Sequence, residues 1–169
     1  FICFFYSLPQ TAKAQNNEWE NPAKYEWNKE RPHADFRLYE QSEDAVNDKP
    51  RKLSWQHSLN GVWKFIYAPT IAASIKDFYR IDLPDSNWDT ITVPSNWEIQ
   101  GFGEPIIRNI QYVFSSNPPY IDVDNPVGTY RRTFTVPRNW QEREVFLHFG
   151  SISGYARIYV NGQQVGMTK

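Results

Sequence analysis

The residues best suited to chemistry lie in and just after positions 94–109, PSNWEIQGFGEPIIRN. Asn109 carries a planar amide able to make paired hydrogen bonds to adjacent hydroxyls, and Trp97 and Phe102 carry rings able to lie beneath the apolar face of a sugar. Four acids, Glu98, Glu104, Asp122 and Asp124, fall in the same loop-like sequence. Retaining hydrolysis of a glycosidic bond needs two carboxyl groups held about 5–5.5 Å apart. No two of these four have a spacing that places them so, and solvation on a loop is the expected role of each. His33, His57 and His148 are too scattered for a short metal-binding motif. A G-x-S-x-G elbow is missing, and GFGEP lacks the spacing of a phosphate-binding glycine loop. The expectation is a chain without its own catalytic residues or metal ligands, whose remaining chemistry is recognition of a hydroxyl-rich ligand.

The backbone around these residues is built to turn. Pro94 sets its own φ and removes a donor, Asn96 can turn the chain through its side chain, and Gly101 and Gly103 permit positive φ two residues apart. Trp97 either touches ligand or anchors this loop to the core, and the anchoring role is favoured because large rings most often fill cores. Tyr112, Phe114 and Tyr120 carry the same two readings. For Asn109 the alternative is closure of a turn.

The elements that must position this loop are short strands. Residues 62–67, 90–93, 130–136, 145–149 and 155–160 are rich in β-branched and aromatic types, with Gly, Pro and Asn between them, which predicts an all-β sandwich. Asn161-Gly162, between YARIYV and QQVG, predicts a two-residue hairpin. One or two helical turns are expected over 71–79, with Ser74 as the cap and Ile75, Phe78 and Tyr79 on one side. Residues 15–52 are Pro-punctuated and lack either period, but include Trp19, Tyr25, Trp27 and Phe36, so an extended arm draped on another surface is expected.

With 18 basic against 19 acidic residues the net charge is −1, which leaves no basic stripe for nucleic acid. Residues 1–14, FICFFYSLPQTAKA, resemble a partial signal peptide with a small-residue cleavage site at Ala12 to Ala14. Cleavage would leave Gln15 first and remove Cys3, the single cysteine. A periplasmic or secreted bacterial protein is expected, with no membrane span in the mature chain. The only Met is Met167, and the strand count falls short of the roughly eight of a closed jelly roll. The region 53–169 is therefore expected to be a sandwich incomplete at its C-terminus, with an unpaired edge and part of a longer protein.

Five segments together carry a family resemblance: WENPAKYEWNKERPHA at 19–34, SLNGVWKF at 58–65, the 94–109 loop, NPVGTYRRTFTVPRNW at 125–140 and LHFGSISGYARIYVNGQQVG at 147–166. They resemble the N-terminal sugar-binding domain of glycoside hydrolase family 2, and within it the large LacZ-type β-galactosidases. The resemblance implies a jelly-roll sandwich of the galactose-binding-domain-like type. It implies an arm that packs on the protein's own downstream domains and, in some members, contributes to homo-oligomer contacts. It also implies hydrolysis of terminal β-D-galactosyl residues with retention, by two glutamates of a later (β/α)8 barrel. Magnesium, and often sodium, is implied for the whole enzyme, with ligands beyond Lys169. The Asn of the family's P-I-x-x-N motif contacts the galactosyl unit, and Pro105, Ile106, Ile107, Arg108 and Asn109 match that motif. Residues 111–114, QYVF, depart from the pattern in which a Pro follows soon after the aromatic, which bears on the mouth of the site. The alternatives are another family 2 specificity, β-glucuronidase or β-mannosidase, a stand-alone carbohydrate-binding module, or a purely structural interaction domain.

Overall fold

The computed structural model describes residues 17–34, 36–39, 41–47, 55–105, 117–121 and 125–169. Among them six strands form two antiparallel sheets: β1 (Glu26–Trp27), β2 (Gly61–Ala68), β3 (Asp89–Val93), β4 (Val127–Arg131), β5 (Ala156–Val160) and β6 (Gln163–Thr168). The first sheet has the order β3-β2-β4 and the second the order β1-β6-β5. Among the described residues one short α-helix, α1 (Ser42–Val46), lies in the arm, with Glu43 and Asp44 in its first turn where the helix dipole favours negative charge. The architecture is all-β.

The sequence GVWKFIYA forms the central strand because its aromatic and β-branched side chains fit a pleated, half-buried surface. Phe65 stands opposite Asp89 of β3 and Tyr130 of β4. Phe65 and Ile91 are fully buried, and Ala68 and Trp88 nearly so. Two adjacent arginines at the end of β4 tie this sheet to its connections. Arg131 lies over Trp88 at 5.4 Å and donates to the Leu83 carbonyl at 2.7 Å and to that of Arg80. Arg132 donates to the carbonyls of Leu59 and Asn60, at 2.9 and 3.0 Å, and so holds the entry to β2.

The hairpin predicted at Asn161-Gly162 joins β5 to β6. Both residues have positive φ, 49° and 81°, as a two-residue turn matched to strand twist requires. Ile158 pairs with Gly166 and Tyr159 with Gln164, which leaves Val165 as the extra residue of a bulge.

β6 is the central strand of its sheet, and β1 and β5 are the edges. It runs for six residues and pairs with β5 on one side and with β1, from the arm, on the other. Glu26 stands opposite Thr168 and Trp27 opposite Met167, and the Lys169 amide donates to the Tyr25 carbonyl at 2.9 Å. Side chains extend the junction. Asn28 Nδ2 donates to the Val165 carbonyl at 2.6 Å, and Tyr155 donates its hydroxyl proton to Glu18 at 2.6 Å while its ring meets Trp19 at 5.9 Å. Burial and the Glu18 contact both push the Tyr155 phenol well above the usual tyrosine range. The other arm aromatics, Tyr25, Trp27 and Phe36, stay exposed.

Three predicted elements differ. β4 ends at Arg131, and residues 145–149 join neither sheet, with Phe146 63% exposed. A strand needs a ladder partner as well as suitable side chains, and this segment pairs with no strand among the described residues. The helical turns expected over 71–79 are a run of turns. Ser74 Oγ donates back to the Ile71 carbonyl at 2.6 Å, satisfying that carbonyl outside a helix, and Asp77 takes a left-handed φ of 52°.

Candidate functional site

The loop that leaves β3 is fastened to the first sheet at three points. The Gln100 carboxamide accepts from the Thr92 amide and donates to the Thr92 carbonyl, both at 2.9 Å. Side-chain amide thus stands in for backbone, continuing the outward edge of β3. Trp97 opens a 3-10 turn (Glu98–Gln100), and its carbonyl accepts from the amides of Gln100 and Phe102 at 3.0 and 3.1 Å. Gly101, at φ 90°, then ends the turn.

Aromatic packing makes the other two attachments. Phe102 meets Phe65 edge-on with centroids 4.7 Å apart, and Tyr130 lies at the same distance on Phe65. Trp97 stands edge-on to Tyr67 at 5.8 Å and 6.3 Å from Phe65. Phe65 is therefore a hub that fixes loop and sheet together, and each such aromatic pair adds about 0.5–1.5 kcal/mol beyond burial. The Tyr130 phenol is pushed up, chiefly by burial and then by the charge of Glu98, so it keeps its proton.

Two glycines make this packing possible. A Cβ at Gly128 would come within 2.5 Å of Trp97 Cζ3 and 2.9 Å of a Phe65 ring carbon. At Gly103 it would meet the Tyr67 hydroxyl oxygen at 2.5 Å, and the φ of 67° adds a second reason for glycine. Sequence reasoning singles out neither Gln100 nor Gly128. The only local hint for Gln100 is an amide placed just before a turn glycine, and Gly128 has none, because its partner lies 31 positions away in sequence (128 − 97).

Of the residues that the sequence marks as candidates, Trp97 and Phe102 come together on Phe65, whereas Asn109, Tyr112 and Phe114 lie outside the described residues, as do Asp122 and Asp124. Tyr120 is 42% exposed. Glu98 is half-buried and Glu104 exposed. The His33 and His148 rings are 6.2 Å apart, but among the described residues no three of His, Cys, Asp and Glu are grouped to hold a metal ion. Nor is any described helix long and apolar enough to cross a membrane.

An open space of about 3520 Å³ is lined by residues of both sheets and of the segments between them, among them Trp63, Tyr67, Tyr130, Phe146 and Tyr159. Small-ligand pockets hold about 300–1,000 Å³, so a space this large does not by itself define a ligand site. The residue types suited to a sugar ligand belong instead to the fastened loop and to the Pro105–Asn109 motif at its end. The family described as glycosyl hydrolases family 2, sugar binding domain, has a model that matches residues 56–169, which takes in β2 to β6 and the whole loop.

Proposed function

Because this chain belongs to the sugar-binding domain family of the family 2 glycosyl hydrolases, we propose that it is the N-terminal domain of a β-galactosidase that releases terminal β-D-galactosyl units with retention. The observation that supports this most is the fastening of residues 94–105 to Phe65, Tyr67 and Thr92. It gives a rigid base to the Pro105-Ile106-Ile107-Arg108-Asn109 motif directly after it in the chain.

Asn109 would bond galactosyl hydroxyls, and contacts to hydroxyls that strengthen as the sugar ring distorts lower the barrier instead of merely tightening binding. A rigid base matters because a displacement of about 1 Å can cost a hundredfold in rate. The two carboxyl groups of the reaction, and the magnesium site, belong in this reading to the barrel domain of the parent protein. The apolar segment at residues 1–14 supports export to the periplasm or medium.

The test is the parent enzyme carrying Asn109→Ala, assayed on nitrophenyl β-galactoside, β-glucuronide and β-mannoside. The expected outcome is a galactoside preference and a fall of about 10- to 100-fold in kcat/KM, equal to about 1.4–2.7 kcal/mol of transition-state stabilisation. A parent that prefers the glucuronide or mannoside would instead assign another family 2 specificity. Unchanged galactoside kinetics in the variant would remove Asn109 from the site.

A further inference from the structure

A second aromatic assembly lies beside the β5–β6 hairpin and shares no residue with the 94–105 loop. Tyr79, from the connection between β2 and β3, lies flat on Tyr159 of β5, with centroids 5.3 Å apart and planes inclined by 14°. Phe78 meets both rings edge-on, 5.8 Å from Tyr79 and 5.1 Å from Tyr159. Arg157, on the same face of β5 as Tyr159, reaches over Phe78 at 5.7 Å. Tyr159 donates its hydroxyl proton to Gln164 at 3.2 Å, and a Cβ added at Gly162 of the hairpin turn would stand 3.5 Å from the Tyr79 carbonyl oxygen. Stacking covers one face of Tyr79, yet the residue keeps 39% exposure. A ring so backed loses little freedom when something lies on it.

The surroundings of that ring are polar in a particular way. Tyr79 donates its hydroxyl proton to Asp77 at 3.1 Å, and the Asp77 hydrogen bond and charge hold the phenol proton in place above the usual range. Asp77, exposed, is held at φ 52°, a conformation that a non-glycine residue adopts uncommonly. Next along the chain, Arg80 and Asp82 form a two-pronged pair at 3.0 and 2.6 Å, with both side chains more than half exposed. A flat ring bordered by carboxylate acceptors and a guanidinium donor complements a pyranose, which offers an apolar C–H face and a rim of hydroxyls. An anionic ligand would meet Asp77 and Asp82, and an apolar peptide would find one ring instead of a groove.

We propose that Tyr79, backed by Tyr159 and bordered by Asp77, is a second carbohydrate-binding surface that takes a neutral galacto-oligosaccharide apart from the Asn109 site. The galactose-based ligand class rests on the β-galactosidase reading proposed above. The location does not.

The experiment is calorimetric titration of the whole chain with β-1,4-galactotetraose, in wild type and in the Asn109→Ala, Tyr79→Ala and Asp77→Asn variants. Asp77→Asn is the control for folding, since asparagine tolerates the left-handed backbone and keeps the side-chain shape. Binding that survives Asn109→Ala, and weakens about tenfold in Tyr79→Ala and several-fold in Asp77→Asn at an unchanged Tm, supports the proposal. Wild-type affinity in both Tyr79→Ala and Asp77→Asn overturns it, as does absence of binding to wild type or loss of all binding in Asn109→Ala alone. Failure of the galactosidase reading would show separately, in the hydrolysis assay of the parent.

Discussion

Among the described residues each sheet has three strands, and the two draw on different contacts. The β2 sheet is built around side chains removed from water, Phe65 and Ile91, on which the loop aromatics converge. At the β1–β6 junction Met167 is buried opposite Trp27, and the arm adds backbone pairing and exposed polar contacts, such as Asn28 to Val165 and Lys29 to Thr168 at 3.0 Å. Exposed polar contacts exchange one set of hydrogen bonds for another with water and net about 0.5–1.5 kcal/mol each, whereas a buried phenylalanine is worth several. Burial therefore fixes where the loop stands, while polar pairing sets the register of the arm.

The sharpest way to break this contrast is Phe65→Ala. The expected cost is about 3–5 kcal/mol, because both transfer energy and the cavity count against the variant. Urea unfolding should show a greatly lowered midpoint or no cooperative transition, and a loss below about 1 kcal/mol would mean that Phe65 is not the hub. Gly128→Ala comes next, at about 1–3 kcal/mol, since the new methyl must displace Trp97 or Phe65. Its near-ultraviolet circular dichroism should change with it, and an unaltered tryptophan signal would contradict the close packing.

The smallest effect is expected in the arm, from Tyr155→Phe, at about 0.5–1.5 kcal/mol at neutral pH. Its pH dependence has a definite sign. The folded phenol titrates above the unfolded one, so its contribution is complete below about pH 10, the ordinary tyrosine value, and fades as pH rises toward the folded value. Hydrogen exchange at the Met167 and Lys169 amides should report stability that is level from pH 6 to 9 and then declines, with a shallower decline in the variant. A steeper decline in the variant would reverse the assignment.

Legibility in the sequence divides along the same line. Asn161-Gly162 is legible because positive φ at two successive residues is a local demand that asparagine and glycine meet. β2 and β3 are legible within a residue or so from their side-chain types. Residues 145–149 carry the same signal and form no ladder with either sheet, since nothing local reveals whether an edge is at hand. Ser74 shows the reverse failure, a hydroxyl able to cap a helix that bonds backwards instead. At the site, the turning of the 94–103 loop and the rings of Trp97 and Phe102 are evident from residue types, but their seat is not. Phe65, Tyr67, Gly128 and Tyr130 come from two other strands, and the Gln100 amide finds Thr92 only because the loop doubles back.

By itself the sequence determined the β class, the turn at 161–162, the punctuated loop and the family motifs, all of which depend on backbone preferences and side-chain types within a few residues. Only the tertiary structure decided that the arm supplies a strand to β6, that Phe65 gathers the loop, and that Tyr79 stacks on Tyr159. Those are contacts between segments far apart in the chain, where the energy lies in which surfaces leave water together, and no short stretch of residues contains that information.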